Sequence, residues 1–265
     1  MFSTRINLFT LFAICTALFL ITGCSDDSPT GADPEDAPDF PQAQPVEIDN
    51  SLFEGENVTG SEYEAFNLAS SYAQSAQMNV QTSMMFGMSY FTFLQQNQAE
   101  YEDGVFNWTF SFTEGGESLT IRATAEESAG QVLWTLYMSG YWDDMEESLD
   151  EFKLLTGTVS EDGQSGQWRY YTPEYPDDPF LQYDWAVSGD DQVSFTSTIM
   201  EPEEEYQLIV DYQRDGTDNW LTYSGVDTMD DVLIFWDGSS GAGYIEQAGG
   251  ERECWDETFA EASCS

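Results

Sequence analysis

Fifty carboxylates, no histidine and a single lysine define the chemistry open to this 265-residue chain. Without imidazole there is no Ser-His-Asp or Cys-His nucleophile and no histidine-based metal site. Lys153, the one partner left for a serine-lysine dyad, alternates with Phe152 and Leu154 as a solvated strand residue would. No phosphate-cradling glycine loop or dinucleotide fingerprint occurs, so no cofactor is expected. Paired acids leave a glycoside hydrolase open, because that chemistry needs only two facing carboxyl groups. The densest acids are Asp143, Asp144, Glu146 and Glu147, then Glu201, Glu203, Glu204 and Glu205. They fall in predicted loops without the order of a calcium-binding loop, so they read as solvated charge. No catalytic or metal-ligating set is assigned, and a non-enzymatic role is expected.

Aromatic residues are the other surplus, at 15% of the chain with eight Trp and fourteen Tyr. Most sit on the apolar phase of a predicted strand. Tyr137, Tyr171 and Tyr223 fall on the opposite phase from Trp134, Trp168 or Tyr170, and Trp220. They suit either a sugar-stacking surface or the second packed face of a central strand. Met84 and Met88, in a cluster with Met78 and Met85, suit either a lipid-contacting surface or core filling. Met84, Met88, Tyr137, Tyr171 and Tyr223 are the candidate ligand contacts.

The formal net charge is −44, with acids spread through nearly every loop. Scattered acid with almost no lysine reads as adaptation to concentrated salt, where screening over a few Å removes self-repulsion. It also excludes nucleic acid as a partner, since phosphate binding draws on Lys and Arg.

The N-terminus carries Arg5 and then an apolar run, Leu8 to Ile21, interrupted by Thr10, Cys15 and Thr16. This is a secretory h-region. It is too short to span a bilayer, because Ser25, Asp26 and Asp27 follow at once. Leu20, Ile21, Thr22, Gly23 and Cys24 resemble the lipobox of bacterial lipoproteins. The resemblance covers residues 1–24. It implies cleavage before Cys24, diacylglycerol on its sulfur and acylation of its new amine, leaving the protein anchored outside the cytoplasm. Three acyl chains hold firmly where one does not. Ser25 resembles an outer-membrane sorting signal, and Asp26 with Asp27 is similar to the tags of some surface-exported lipoproteins. With Cys15 removed and Cys24 lipidated, Cys254 and Cys264 remain as an even pair in an oxidising compartment. They are expected to form a disulfide.

Residues 24–50 contain Pro29, Pro34, Pro38, Pro41 and Pro45 among many acids, which predicts a disordered tether. Residues 51–265 suit one domain. Within it, Ser61 and Glu64 fit a capping box, and small or apolar residues recur from Phe66 through Ala73, Val80 and Gly87 to Leu94. This predicts an amphipathic helix over about 61–98, broken or bent near Gly87. From about 104 to 247 the period becomes two, giving about ten strands. Their links are short, polar and rich in Gly or Asp, as in an antiparallel meander.

The fold expected is mainly β, of α+β type: a half-barrel or barrel with the helix over an end or in the concave face, and a disulfide-pinned tail at 248–265. A lipidated cysteine, an early helix and a long meander are similar in layout to the LolA/LolB lipoprotein-carrier superfamily. That likeness implies an apolar ligand or lipid. A surface carbohydrate-binding module and an acidic glycosidase are the alternatives. Lipid carriage requires a closed apolar cavity, glycan binding requires aromatics on an exposed face, and hydrolysis requires two facing carboxylates.

Overall fold

The computed structural model describes residues 36–41, 46–54, 63–114, 117–142, 147–189, 191–201, 206–226 and 231–264. The leader, Cys24, Ser61 and most of the two acidic loops lie outside these residues. The chain is mainly β. Among the described residues, a 3₁₀ turn (Ser51–Phe53) and a helix, α1 (Glu64–Leu94), precede fourteen strands. These are β1 (Glu100–Glu102), β2 (Val105–Glu114), β3 (Glu117–Ser128), β4 (Gln131–Trp142), β5 (Glu147–Ser160), β6 (Ser165–Tyr170) and β7 (Leu181–Ser188). They continue with β8 (Gln192–Glu201), β9 (Tyr206–Asp215), β10 (Asp218–Val226), β11 (Val232–Asp237), β12 (Gly243–Gln247), β13 (Glu253–Trp255) and β14 (Glu261–Ala262).

Every strand pairs antiparallel with its neighbours in sequence, and the spatial order is the chain order from β1 to β14. The sheet curls but stays open. The expected hairpin sets Phe112 opposite Leu119, Phe110 opposite Ile121 and Trp108 opposite Ala123. Large residues on the concave face meet small ones across the ladder. Gly157 lies opposite Trp168, and a Cβ added there would fall 1.9 Å from the indole ring.

The apolar stripe of α1 lies on the concave face. Phe66, Ala69, Ala73, Ala76, Val80, Phe91 and Leu94 are all buried, at 1% exposure or less. The helix crosses the strands from one end of the sheet to the other. Phe66 meets Trp255 of β13, and Tyr223 of β10 donates a hydrogen bond to the Tyr72 carbonyl at 2.9 Å. Farther along, Tyr170 of β6 donates to the Ser83 carbonyl at 2.8 Å, and Phe93 stacks on Phe110 of β2. Each large apolar side chain so buried contributes about 1.5–3 kcal/mol.

Four expectations are corrected. The helix does not break at Gly87, where glycine instead leaves room for the Tyr170 ring; an added Cβ would lie 2.7 Å from its hydroxyl. It starts at Glu64 with Tyr63 as N-cap and no side-chain cap. The described part of the expected tether is packed into the domain. Phe40 sits 4.9 Å from Trp108 and 5.7 Å from Phe91, and Val46 and Ile48 are 1% exposed. Among the described residues the strands number fourteen, because β1, β12, β13 and β14 join the meander, the last two from the tail. There the expected disulfide joins Cys254 of β13 to Cys264, with Cα atoms 5.4 Å apart.

Candidate functional site

The concave face is filled by protein. Between α1 and β9–β11 lies the segment 46–53, whose backbone is paired at several points. Ile48 N–H donates to Gln77 Oε1 at 3.0 Å, Asp49 N–H donates to Tyr212 Oη at 3.1 Å, and Trp236 Nε1 donates to the Asp49 carbonyl at 3.0 Å. Phe53 then packs edge-on against Trp236. Burial pushes the phenols of Tyr212 and Tyr223 up to about 12, and those of Tyr170 and Tyr183 higher still. Tyr183 Oη and Ser197 Oγ, from cross-strand partners on β7 and β8, have no hydrogen-bond partner among the described residues.

The five candidate ligand contacts do not converge. Met84 and Met88 are half-buried on α1 and pack against the core. Tyr223 points under the helix, where its hydroxyl holds the Tyr72 carbonyl, so it is a structural residue. Tyr137 is half-buried on β4 and Tyr171 is buried just after β6, both outside the main apolar cluster and beneath cations. The Arg122 guanidinium stands 4.2 Å over the Tyr137 ring and pairs with Glu151, and Lys153 Nζ stands 4.3 Å over the Tyr171 ring. Lys153 is thus on the outer face, as its alternation predicts, but its ammonium is spent on an aromatic face.

A more open arrangement lies farther along the outer face, on β7–β12. Cross-strand register aligns Ala186, Ser194, Gln213, Trp220, Phe235 and Tyr244 in one row. The rings of Trp220 and Phe235 are 5.6 Å apart and those of Phe235 and Tyr244 are 5.4 Å apart. All three are half-buried. Arg252 closes the far end, 4.2 Å above the Tyr244 ring and bonded to Glu246 at 2.7 Å. At the near end Trp220 borders a groove of about 560 Å³ whose other walls include Ser188, Gln192, Ser194, Gln213 and Asp215. Gln192 Nε2 donates to Asp215 Oδ1 at 3.3 Å, which orients both groups at the rim. An indole beside amides, hydroxyls and one carboxylate offers an apolar ring and several hydrogen-bonding groups to the same ligand.

Trp220 is where sequence periodicity pointed to the wrong face. Asn219, Leu221 and Tyr223 are the buried phase of β10, so Trp220 points outward. The clue in the sequence was the alternation of Leu221 and Tyr223 themselves. A second, smaller pocket of about 250 Å³ lies between Phe40, Gln95, Asn97 and Trp108. Among the described residues, no group of three or more His, Cys, Asp or Glu is placed to hold a metal ion. Comparison with family models, curated proteins and solved structures returned no match.

Proposed function

We propose that this chain is a lipid-anchored cell-envelope protein of the outer membrane, without catalytic activity, that binds a glycan on the outer face of its sheet. The observation carrying the ligand class is the groove beside Trp220. A pyranose ring has an apolar C–H face that suits the negative face of an indole, and equatorial hydroxyls that suit Gln192, Gln213 and Asp215. The half-buried Phe235 and Tyr244 behind Trp220 hold the indole in place. An apolar ligand, the first reading from sequence, would need the concave face, which α1 and residues 46–53 occupy.

The anchor rests on the lipobox resemblance at Cys24. The test is a glycan array probed with the protein in molar salt, alongside Trp220→Ala. Selective binding lost in that variant supports the reading. A blank array together with co-purifying lipid in native mass spectrometry would replace it with the lipid-carrier reading. For the anchor, mass analysis of the N-terminal peptide should find acyl groups on Cys24, and Cys24→Ser should release the protein from membranes.

A further inference from the structure

The solvent side of α1 departs from the rest of the surface. Residues 65–99 contain no Asp, Glu, Lys or Arg, in a chain whose formal net charge is −44. Along that side Ser71, Ser75, Met78, Thr82, Met85 and Ser89 are exposed, and they succeed one another in steps of four and three. That is the spacing of a coiled-coil seam. Met78 and Met85 are 67% and 68% exposed and stand two turns apart on the same stripe. The serines and the threonine between them leave holes that a methionine side chain fills.

We propose that this seam docks a second copy of the same chain, α1 against α1. Charge selects the occupant. Two molecules this acidic repel wherever their carboxylates approach, and this seam is a surface on which they meet with no carboxylate on either side. The seam is also self-complementary. A twofold axis near Thr82 brings Met78 of one copy beside Met85 of the other, and the same contact is made twice. Because the contact is uncharged while the bodies repel, pairing strengthens as salt rises, the reverse of an interface built on ion pairs. The proposal is independent of the glycan reading, since Trp220 lies on the opposite side of the sheet from α1.

The test uses the full chain carrying Thr82→Cys, at the middle of the seam, oxidised with copper phenanthroline on intact cells and run on a non-reducing gel. Expected is a species of twice the chain mass. The same chain with Thr109→Cys, exposed on β2 well away from the seam, should stay monomeric. Adding Met78→Asp and Met85→Asp to the Thr82→Cys chain should abolish the dimer while leaving the thermal midpoint of the dilute monomer unchanged, since in the monomer both side chains face solvent. The dimer fraction of the Thr82→Cys chain should also rise between low and molar sodium chloride. A Thr82→Cys chain that stays monomeric overturns the proposal. So does one that cross-links to a different polypeptide, or one whose dimer survives the paired aspartates.

Discussion

On β11, Val232, Ile234 and Trp236 are buried in the core, Trp236 against Phe53, while Leu233 and Phe235 between them are only half-buried on the outer face. One residue step separates a surface committed to holding the fold from one free to meet a ligand. On the concave side even the polar groups are internal: Tyr212 donates to Asn219 Oδ1 at 2.7 Å, and Trp255 Nε1 to the Gly241 carbonyl at 2.9 Å. On the outer side the polar groups of Gln192, Gln213 and Asp215 border open space. On the proposed glycan reading, recognition belongs to the convex face and stability to the concave one.

That division is broken most severely at Trp236, which is fully buried and bonded to the Asp49 carbonyl. Trp236→Ala should cost about 3–5 kcal/mol, read as a lowered midpoint in thermal or urea unfolding, because it empties the layer between the sheet and residues 46–53. A midpoint shift as small as that of an outer-face variant would erase the distinction. Next in size is the tail. Replacing Cys254 and Cys264 together by serine should cost about 2–3 kcal/mol through the freed loop entropy, and should leave glycan binding intact.

Trp220→Ala sharpens the comparison from the other side. It should change stability by about 1 kcal/mol and remove glycan binding, so that binding and unfolding measurements separate. The smallest effect concerns Tyr183. Its hydroxyl has no hydrogen-bond partner among the described residues, so Tyr183→Phe should lie within about 0.5 kcal/mol of the parent at neutral pH.

Alkali should expose a difference there. A phenol whose folded pKa is raised stabilises fully below its unfolded value near 10, and that stability is lost as pH rises through the folded value. Tyr212 and Tyr223 therefore predict loss between about pH 10 and 12, and Tyr183, raised higher, continues it. Followed by circular dichroism against pH, Tyr183→Phe should unfold at higher pH than the parent.

Much of the fold was legible because two periods dominate it. The buried stripe of α1 follows the expected steps from Phe66 to Leu94, and the strands of the meander follow alternation of aromatic and polar residues. What escaped has local causes. β1, β13 and β14 are two or three residues long, too short for alternation to register. Val46, Ile48 and Phe53 are isolated apolar residues in an acidic, proline-rich stretch. Their burial depends on Tyr212 and Trp236, far along the chain.

At the candidate site, bulk suggested that Trp220 belongs inside. The interior position went instead to Asn219, whose side-chain amide donates to the Thr217 carbonyl at 2.9 Å and whose oxygen accepts from Tyr212. Against the bulk of the indole, the local sign of the buried phase was the alternation of Leu221 and Tyr223. The groove residues gained meaning only when register brought β8, β9 and β10 side by side.

The strictly sequential order of strands bears on how the chain is made. Each hairpin can zip onto the previous one as the polypeptide is synthesised, with no strand waiting for a distant mate. Residues 46–53 and α1 come out first, yet Phe53 and Phe66 meet Trp236 and Trp255 only at the end of synthesis. The early helix therefore has no floor to rest on until the last hairpins arrive. A nascent chain stalled before Trp236 would hold a finished row of hairpins beneath a lid still only half seated.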